Sequence, residues 1–215
     1  LAAGPALTRA QAEAALQAGA TLVEEEVPEA RMIAVGEMGI GNTTSAAAIT
    51  AACTDAPVER VVGRGTGIDE AALRRKRAVV TSALARLGAT RDPVEVLCQV
   101  GGAEIAGMVG VVLAAAARGR PVLLDGYISS AAGLLAHRMA PACGGYLFAS
   151  HRSAEPGHAL QLEALELEPI MELGLRLGEG SGAVLALSIL DAAGAILREM
   201  ATFSEAGVSG PPVPA

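Results

Sequence analysis

Short runs of purely apolar residues alternate along this chain with longer segments of helical pattern, and glycine-rich turns separate them. Met32–Val35 is one such run. The turn Gly36–Asn42 follows it, and an alanine-rich segment reaching Cys53 follows the turn. This reads as strand, tight loop, helix. The pattern returns with Val61–Val62, the loop Gly63–Gly67 and a helix running from an Asp69 cap to about Leu87. It returns again with Val94–Val100, Gly101–Gly102 and Glu104–Arg118, and then with Pro121–Leu124, Asp125–Gly126 and Ser130–Met139. Tyr146–Ala149 predicts a further short strand. Alternation at this spacing indicates parallel βαβ units. Strands that are apolar at every position belong to a sheet covered on both faces. The expected fold class is therefore α/β with a mainly parallel sheet flanked by helices.

Outside this alternation, Thr8 is placed to cap a helix over Arg9–Ala20, with Gly19 near its end. After Ser150 the pattern changes. Glu163–Leu177 predicts a helix whose glutamates (Glu163, Glu166, Glu168 and Glu172) form a solvated face. The loop Gly178–Gly182 then leads into an apolar helix over Ala183–Leu197, and Pro211–Pro214 reads as a loose tail.

Composition narrows the function classes. Aromatic residues make up 2% of the chain and Trp is absent, so alanine, leucine and valine must fill the core. Small side chains of this kind suit close packing of helices on a sheet. The net charge is −7, with no basic run and no aromatic stacking set, which excludes nucleic acid as the main partner. No membrane is expected either: Ile105–Ala117 is too short to cross one and Ala183–Leu197 carries Asp191, so both predict buried helices. The first residues show no basic region followed by an apolar run. Cys53, Cys98 and Cys143 are scattered and form no CxxC pair, as in a protein of the reducing cytoplasm whose thiols pack in the core. His137, His151 and His158 do not have metal-ligand spacing, so no metal is expected.

In a parallel sheet the ligand sits beyond the carboxyl ends of the strands. The loops Gly36–Asn42, Gly63–Gly67, Gly101–Gly102 and Asp125–Gly126 are all expected there. The first continues as Gly36-Glu37-Met38-Gly39-Ile40-Gly41-Asn42-Thr43-Thr44. Its glycines allow positive φ and close approach of an anion, the N–H groups of the helix that follows can bind a phosphate, and the threonines add hydroxyl donors. A purely structural tight turn is the alternative. The nucleotide-binding signatures GxxxxGK[ST] and GxGxxG do not occur. In the second loop, Arg64 and, further on, Lys76 can bring positive charge to a phosphate; the alternative is that Arg74, Arg75, Lys76 and Arg77 form one solvated helix face. Glu37 and Glu179 stand out among the carboxylates because each is framed by glycines in a loop at the expected ligand end.

Seven segments together resemble the nicotinate-nucleotide–dimethylbenzimidazole phosphoribosyltransferase family. They are GEMGIGNTTSAAAI at Gly36–Ile49, VGRGTGID at Val62–Asp69, GGAEIAGMVG at Gly101–Gly110, LLDGYISSAAGLLA at Leu123–Ala136, SHRSAEPGH at Ser150–His158, LRLGEGSGA at Leu175–Ala183 and TFSEAGV at Thr202–Val208. The resemblance implies a doubly wound sheet with part of a small helical domain. It divides the chain into a helical segment of that small domain (1–30), a Rossmann-like nucleotide-binding domain (31–160), and C-terminal helices with a catalytic loop (161–215). It implies a cytoplasmic homodimer that needs no cofactor and whose substrates are nicotinate mononucleotide and a benzimidazole base. By the same resemblance Glu179 is the general base and Glu37 a second glutamate near sugar and base. Gly39, Ile40, Gly41, Asn42, Thr43, Gly65 and Lys76 form the phosphate pocket, and Asp125, Gly126, Ser153 and Leu177 line the substrate site. The family carries a further N-terminal stretch that supplies part of the benzimidazole pocket. A truncated, non-catalytic nucleotide-binding module is therefore the alternative expectation.

Overall fold

A computed structural model of the chain describes residues 1–37 and 39–208; the tail expected at Pro211–Pro214 lies outside the described residues. Four strands, β1 (Ile33–Val35), β2 (Val122–Leu124), β3 (Leu147–His151) and β4 (Pro169–Met171), form one parallel sheet in the order β1-β2-β3-β4. Val35 lies opposite Leu124, and Leu124 opposite Ala149. The strands therefore end nearly level, and the Asp125 N–H extends the pairing by donating to the Val35 carbonyl at 3.1 Å. Whatever follows each strand emerges at one edge of the sheet.

Between β1 and β2 run α2 (Asn42–Thr54), α3 (Val58–Val61), α4 (Glu70–Leu87), α5 (Pro93–Val100) and α6 (Ala103–Ala117). Helix α7 (Tyr127–Met139) joins β2 to β3, α8 (His158–Leu165) joins β3 to β4, and α9 (Ser181–Glu199) follows β4. Alternation along β2 explains the layers. Val122 and Leu124 enter the main core with residues of α6 and α7, while Leu123 packs on the opposite face against Ala183 and Ala186 of α9. The fold is thus α/β, with a parallel sheet flanked by helices on both faces.

Small residues let these layers close up. Helix α1 (Arg9–Thr21) lies directly on α6: a Cβ on Gly19 would meet the Gly107 carbonyl oxygen at 1.9 Å, and one on Gly110 would meet the Leu16 carbonyl oxygen at 2.0 Å. Eight consecutive residues of α2, Ala46–Cys53, are buried, which alanine tolerates on every side of a helix. The cap signals act as expected. Thr8 and Gln11 form a reciprocal capping box on α1, and the Asp69 carboxylate accepts from the Ala72 N–H at 2.7 Å at the start of α4.

Several expectations need correction. Val94–Val100 is not a strand but α5. Asp92 caps it by accepting from the Glu95 N–H at 2.7 Å, and Pro93 sits in its first turn, where a missing N–H costs nothing. Val61–Val62 closes the single-turn α3 rather than forming a strand. Glu163–Leu177 is broken into the end of α8, strand β4 and a loop. Glu166 stops α8 in the left-handed region (φ 55°), and Pro169 favours extended backbone just before it. Its four glutamates therefore do not share one helical face.

The two apolar helices expected to be buried diverge. Helix α6 is buried along most of its length. Helix α9 buries only Gly182, Ala183 and Ala186, and it leaves Val184, Leu185, Ile189, Ile196 and Leu197 exposed. By length and composition α9 could cross a membrane, although Asp191 stands in its middle.

Candidate active site

A cavity of about 780 Å³ opens at the carboxyl edge of the sheet. Three of the four glycine loops meet there: the loop after β1, the loop Gly63–Gly67, and Asp125–Gly126 after β2. The fourth does not. Gly101–Gly102 links α5 to α6, and its Gly101 carbonyl accepts from the Ser45 hydroxyl at 2.9 Å. The loop Gly63–Gly67 follows a helix, not a strand, yet still reaches the cavity.

One end of the cavity presents groups that can receive an anion. Gly41, with φ 102°, occupies the N-cap of α2, a conformation that favours glycine, and no side chain caps that helix. The Thr44 N–H donates to the Gly41 carbonyl at 2.9 Å, and with no side chain on the cap the positive end of the α2 dipole can act on a ligand. Thr43 sits in this turn. The Lys76 ammonium crosses from α4 and donates to the Thr43 hydroxyl at 2.7 Å and to the Gly63 carbonyl at 3.0 Å. Burial lowers the Lys76 pKa from its ordinary value, and nearby Glu155 acts in the opposite direction. Gly65, with φ 55°, brings its loop against Thr43, where a Cβ would lie 3.1 Å from the hydroxyl. The Gly65 N–H is taken by the Glu155 carboxylate at 2.9 Å, which ties this loop to the one after β3.

The other end is acidic. Half-buried Glu37 accepts through one carboxylate oxygen from the Gly39 N–H at 2.7 Å and from the Asn42 side-chain amide. Burial raises its pKa, and the Gly39 hydrogen bond offsets part of that. Glu179 lies across from it in three consecutive left-handed residues: Gly178 (φ 82°), Glu179 (φ 59°) and Gly180 (φ 78°). The Glu179 N–H donates to the Glu37 carbonyl at 2.8 Å. Gly36 permits this approach, because a Cβ there would fall 2.3 Å from the Gly180 nitrogen. The two glutamates, far apart in sequence, are thus joined main chain to main chain.

Twelve of the thirteen candidate residues line the cavity: Glu37, Gly39, Ile40, Gly41, Thr43, Gly65, Lys76, Asp125, Gly126, Ser153, Leu177 and Glu179. Asn42 does not, and acts instead through its amide on Glu37. Ile40 and Leu177 are exposed at 92% and 69% and present apolar surface to the cavity. Arg75, read from sequence as part of a solvated face, reaches the cavity wall, as does Arg176. Two further lining residues matter to the geometry and have no role assigned from sequence. One is Glu155, described above. The other is His151, the last residue of β3.

The His151 tautomer follows from its partners. The Ser150 hydroxyl donates to the Asp125 carbonyl at 2.6 Å, so at 3.0 Å from that hydroxyl the His151 Nδ1 must be the donor. Nε2 is then the unprotonated nitrogen of the neutral ring. Burial lowers the His151 pKa and keeps it neutral, against the charge of Asp125. Behind it, His158 is held at a pKa of about 3, chiefly by burial and further by His151 and Arg152. Its Nδ1 accepts from the Ser153 N–H at 2.8 Å. Among the described residues, no three His, Cys, Asp or Glu side chains come together as a metal-holding group.

A phosphoribosyltransferase family model matches residues 1–208. The chain belongs to this phosphoribosyltransferase family. Among similar proteins named nicotinate-nucleotide–dimethylbenzimidazole phosphoribosyltransferase, the one from Desulforamulus reducens is 51% identical over 96% of this chain and 59% of its own length. The one from Thermus thermophilus is 53% identical over 97% of this chain and 62% of its own. A crystal structure of CobT from Thermus thermophilus superposes with a TM-score of 0.93 at 52% identity, over 98% of this chain and 63% of that one. The chain therefore spans about three fifths of the length of these family members.

Proposed function

We propose that the chain transfers phosphoribose from nicotinate mononucleotide to 5,6-dimethylbenzimidazole, giving α-ribazole 5'-phosphate and nicotinate in the assembly of the cobalamin nucleotide loop. The observation that carries this reading is a single cavity with an anion seat at Lys76 and the start of α2, and a pair of glutamates at the other end. Family members with the same printed activity support it. The reaction asks little of a catalyst at the leaving group. The nicotinate ring nitrogen is cationic in the nucleotide and becomes neutral as the glycosidic bond breaks. The benzimidazole, in contrast, must lose its N–H proton as its other nitrogen attacks the ribose carbon.

Glu179 is assigned that proton, as general base. Glu37 faces the sugar and stabilises the positive charge that develops on it. The anion seat fixes the 5'-phosphate, so the ribose carbon is held for attack from the face opposite the leaving group. This inverts a β nucleotide to an α product. Ile40 and Leu177 offer apolar surface to the flat bases. A cytoplasmic homodimer belongs to the same reading, supported by three unpaired, buried cysteines and by the uncovered apolar face of α9.

The test is nicotinate release from nicotinate mononucleotide, with and without 5,6-dimethylbenzimidazole. Release that depends on the added base, with α-ribazole 5'-phosphate as the second product, is the expected result. Nucleotide binding without release would instead make this chain a binding module.

A further inference from the structure

Asp125 has a task that its place on the cavity wall does not reveal. It is 2% exposed, and both carboxylate oxygens are engaged by the main chain that begins α9: one accepts from the Gly180 N–H at 3.1 Å, the other from the Ala183 N–H at 3.0 Å. Helix α9 has no cap from its own sequence, because its N-cap residue is Gly180. A carboxylate from the end of β2 therefore does the work of a cap across the fold, where the helix dipole favours negative charge. Immediately before this contact stands Glu179, a non-glycine residue in the left-handed region at φ 59°. Such a conformation persists only where the surroundings over-determine it.

Three contacts supply that determination. The Glu179 N–H is fixed on the Glu37 carbonyl at 2.8 Å. The next residue, Gly180, is fixed on Asp125. One turn on, Gly182 seats against the His151 ring so closely that a Cβ would lie 2.0 Å from Nδ1. Asp125 itself is braced by strand pairing to Val35 and by the Ser150 hydroxyl on its carbonyl.

We infer that Asp125 is a positioning residue for the reaction: its carboxylate clamps the start of α9 and thereby holds the Glu179 elbow in its working conformation, rather than acting as a ligand to the nucleotide. This rests on the function proposed above. It also assigns separate consequences to two residues of one cavity wall: Asp125 acts on turnover through Glu179, while Lys76 acts on binding.

The experiment pairs Asp125→Asn with Gly180→Ala. The first keeps the side-chain shape and removes one acceptor. The second strains the same elbow through its positive φ and leaves Asp125 in place. Two readouts are taken on the whole chain. In hydrogen exchange followed by mass spectrometry, peptides covering residues 178–185 of Asp125→Asn should exchange about tenfold faster than in the parent, with α7 unchanged. In nicotinate release, both variants should lose about tenfold to a hundredfold in kcat, with the KM for nicotinate mononucleotide within about twofold.

Unchanged exchange in Asp125→Asn overturns the clamp. A raised KM with normal kcat overturns it as well, and makes Asp125 a ligand contact. Should the parent chain release no nicotinate, the proposed function fails, and the exchange result alone decides whether Asp125 holds the elbow.

Discussion

At the basic end of the cavity, Lys76 reaches from α4 to the Thr43 hydroxyl and the Gly63 carbonyl, so side chains and a helix terminus do the holding. At the acidic end, Glu37 and Glu179 meet through their main chains, and a third carboxylate, that of Asp125, pins the loop that carries Glu179. The first arrangement is a receptacle whose donors are already tied to one another's neighbours, so removing one of them should weaken the grip on a ligand. The second is a device for placing a carboxylate, in which backbone conformation counts for as much as side-chain identity. The two ends should therefore fail differently, one in affinity and the other in rate.

The largest separation is expected from Glu179→Gln. The amide keeps the size of the side chain and the elbow but cannot take a proton. Turnover should fall by about 10²-fold or more, the usual scale for a general base, with nucleotide affinity retained. Steady-state kinetics with direct binding measurements reads both quantities. Near-normal turnover would remove Glu179 from the role and dissolve the contrast between the two ends.

Acid should act on the fold behind His151. The folded chain holds the His158 pKa at about 3, below the ordinary 6.5 of the unfolded state. A lowered histidine pKa means that the unfolded chain binds the proton first. Its contribution to stability is therefore complete above about pH 6.5 and is lost progressively as the pH falls toward 3. Between pH 7 and pH 5 the loss is about 2 kcal/mol, readable from urea unfolding. Protonation would also take the Nδ1 lone pair from the Ser153 N–H. His158→Gln should flatten this dependence. A parent protein equally stable at both pH values would show that His158 is not held neutral.

Lys76→Met tests the receptacle itself. Loss of one charged donor to a phosphate should raise the KM for nicotinate mononucleotide about 20-fold, near 1.8 kcal/mol, with little change in kcat. A fall in kcat at constant KM would move Lys76 to the chemical end and erase the difference between the two ends.

The basic end was the more legible in sequence, because its parts are local signals. Gly39 and Gly41 just before a helix start, with Thr43 behind them, carry their meaning in a few consecutive residues. The acidic end showed only its glycine frames around Glu37 and Glu179. Their union depends on sheet order, on the close approach at Gly36 and on the reach of Asp125, none of which a short window of sequence contains. His151 had one overlooked signal: it ends β3, and the reasoning that placed Asp125 at a strand terminus applies to it equally. Arg75 was hidden among neighbouring arginines, and Arg176 and Glu155 stood alone in irregular loops. Elsewhere, the valines of α5 suggested a strand and outweighed the Asp92-Pro93 start signal. Apolarity alone predicted burial for α9 as for α6, but it reports what a surface prefers and not what covers it.

The smallest effect is expected on the outward face of α9, whose first turn holds the Glu179 elbow while its far end stands clear of the described core. Leu197 is 87% exposed. If this face is open in solution, Leu197→Ser removes little buried area and should change stability by no more than about 0.5 kcal/mol. A buried leucine cut back in this way would cost about 2–5 kcal/mol, the scale of large-to-small core substitutions. Urea unfolding of the variant at two protein concentrations separates the cases. A small, concentration-independent change means that the elbow is held by Asp125, Glu37 and His151 without help from beyond the helix. A loss on the core scale that depends on concentration would mean that another copy covers α9, and that the acidic end, unlike the basic end, is completed by assembly.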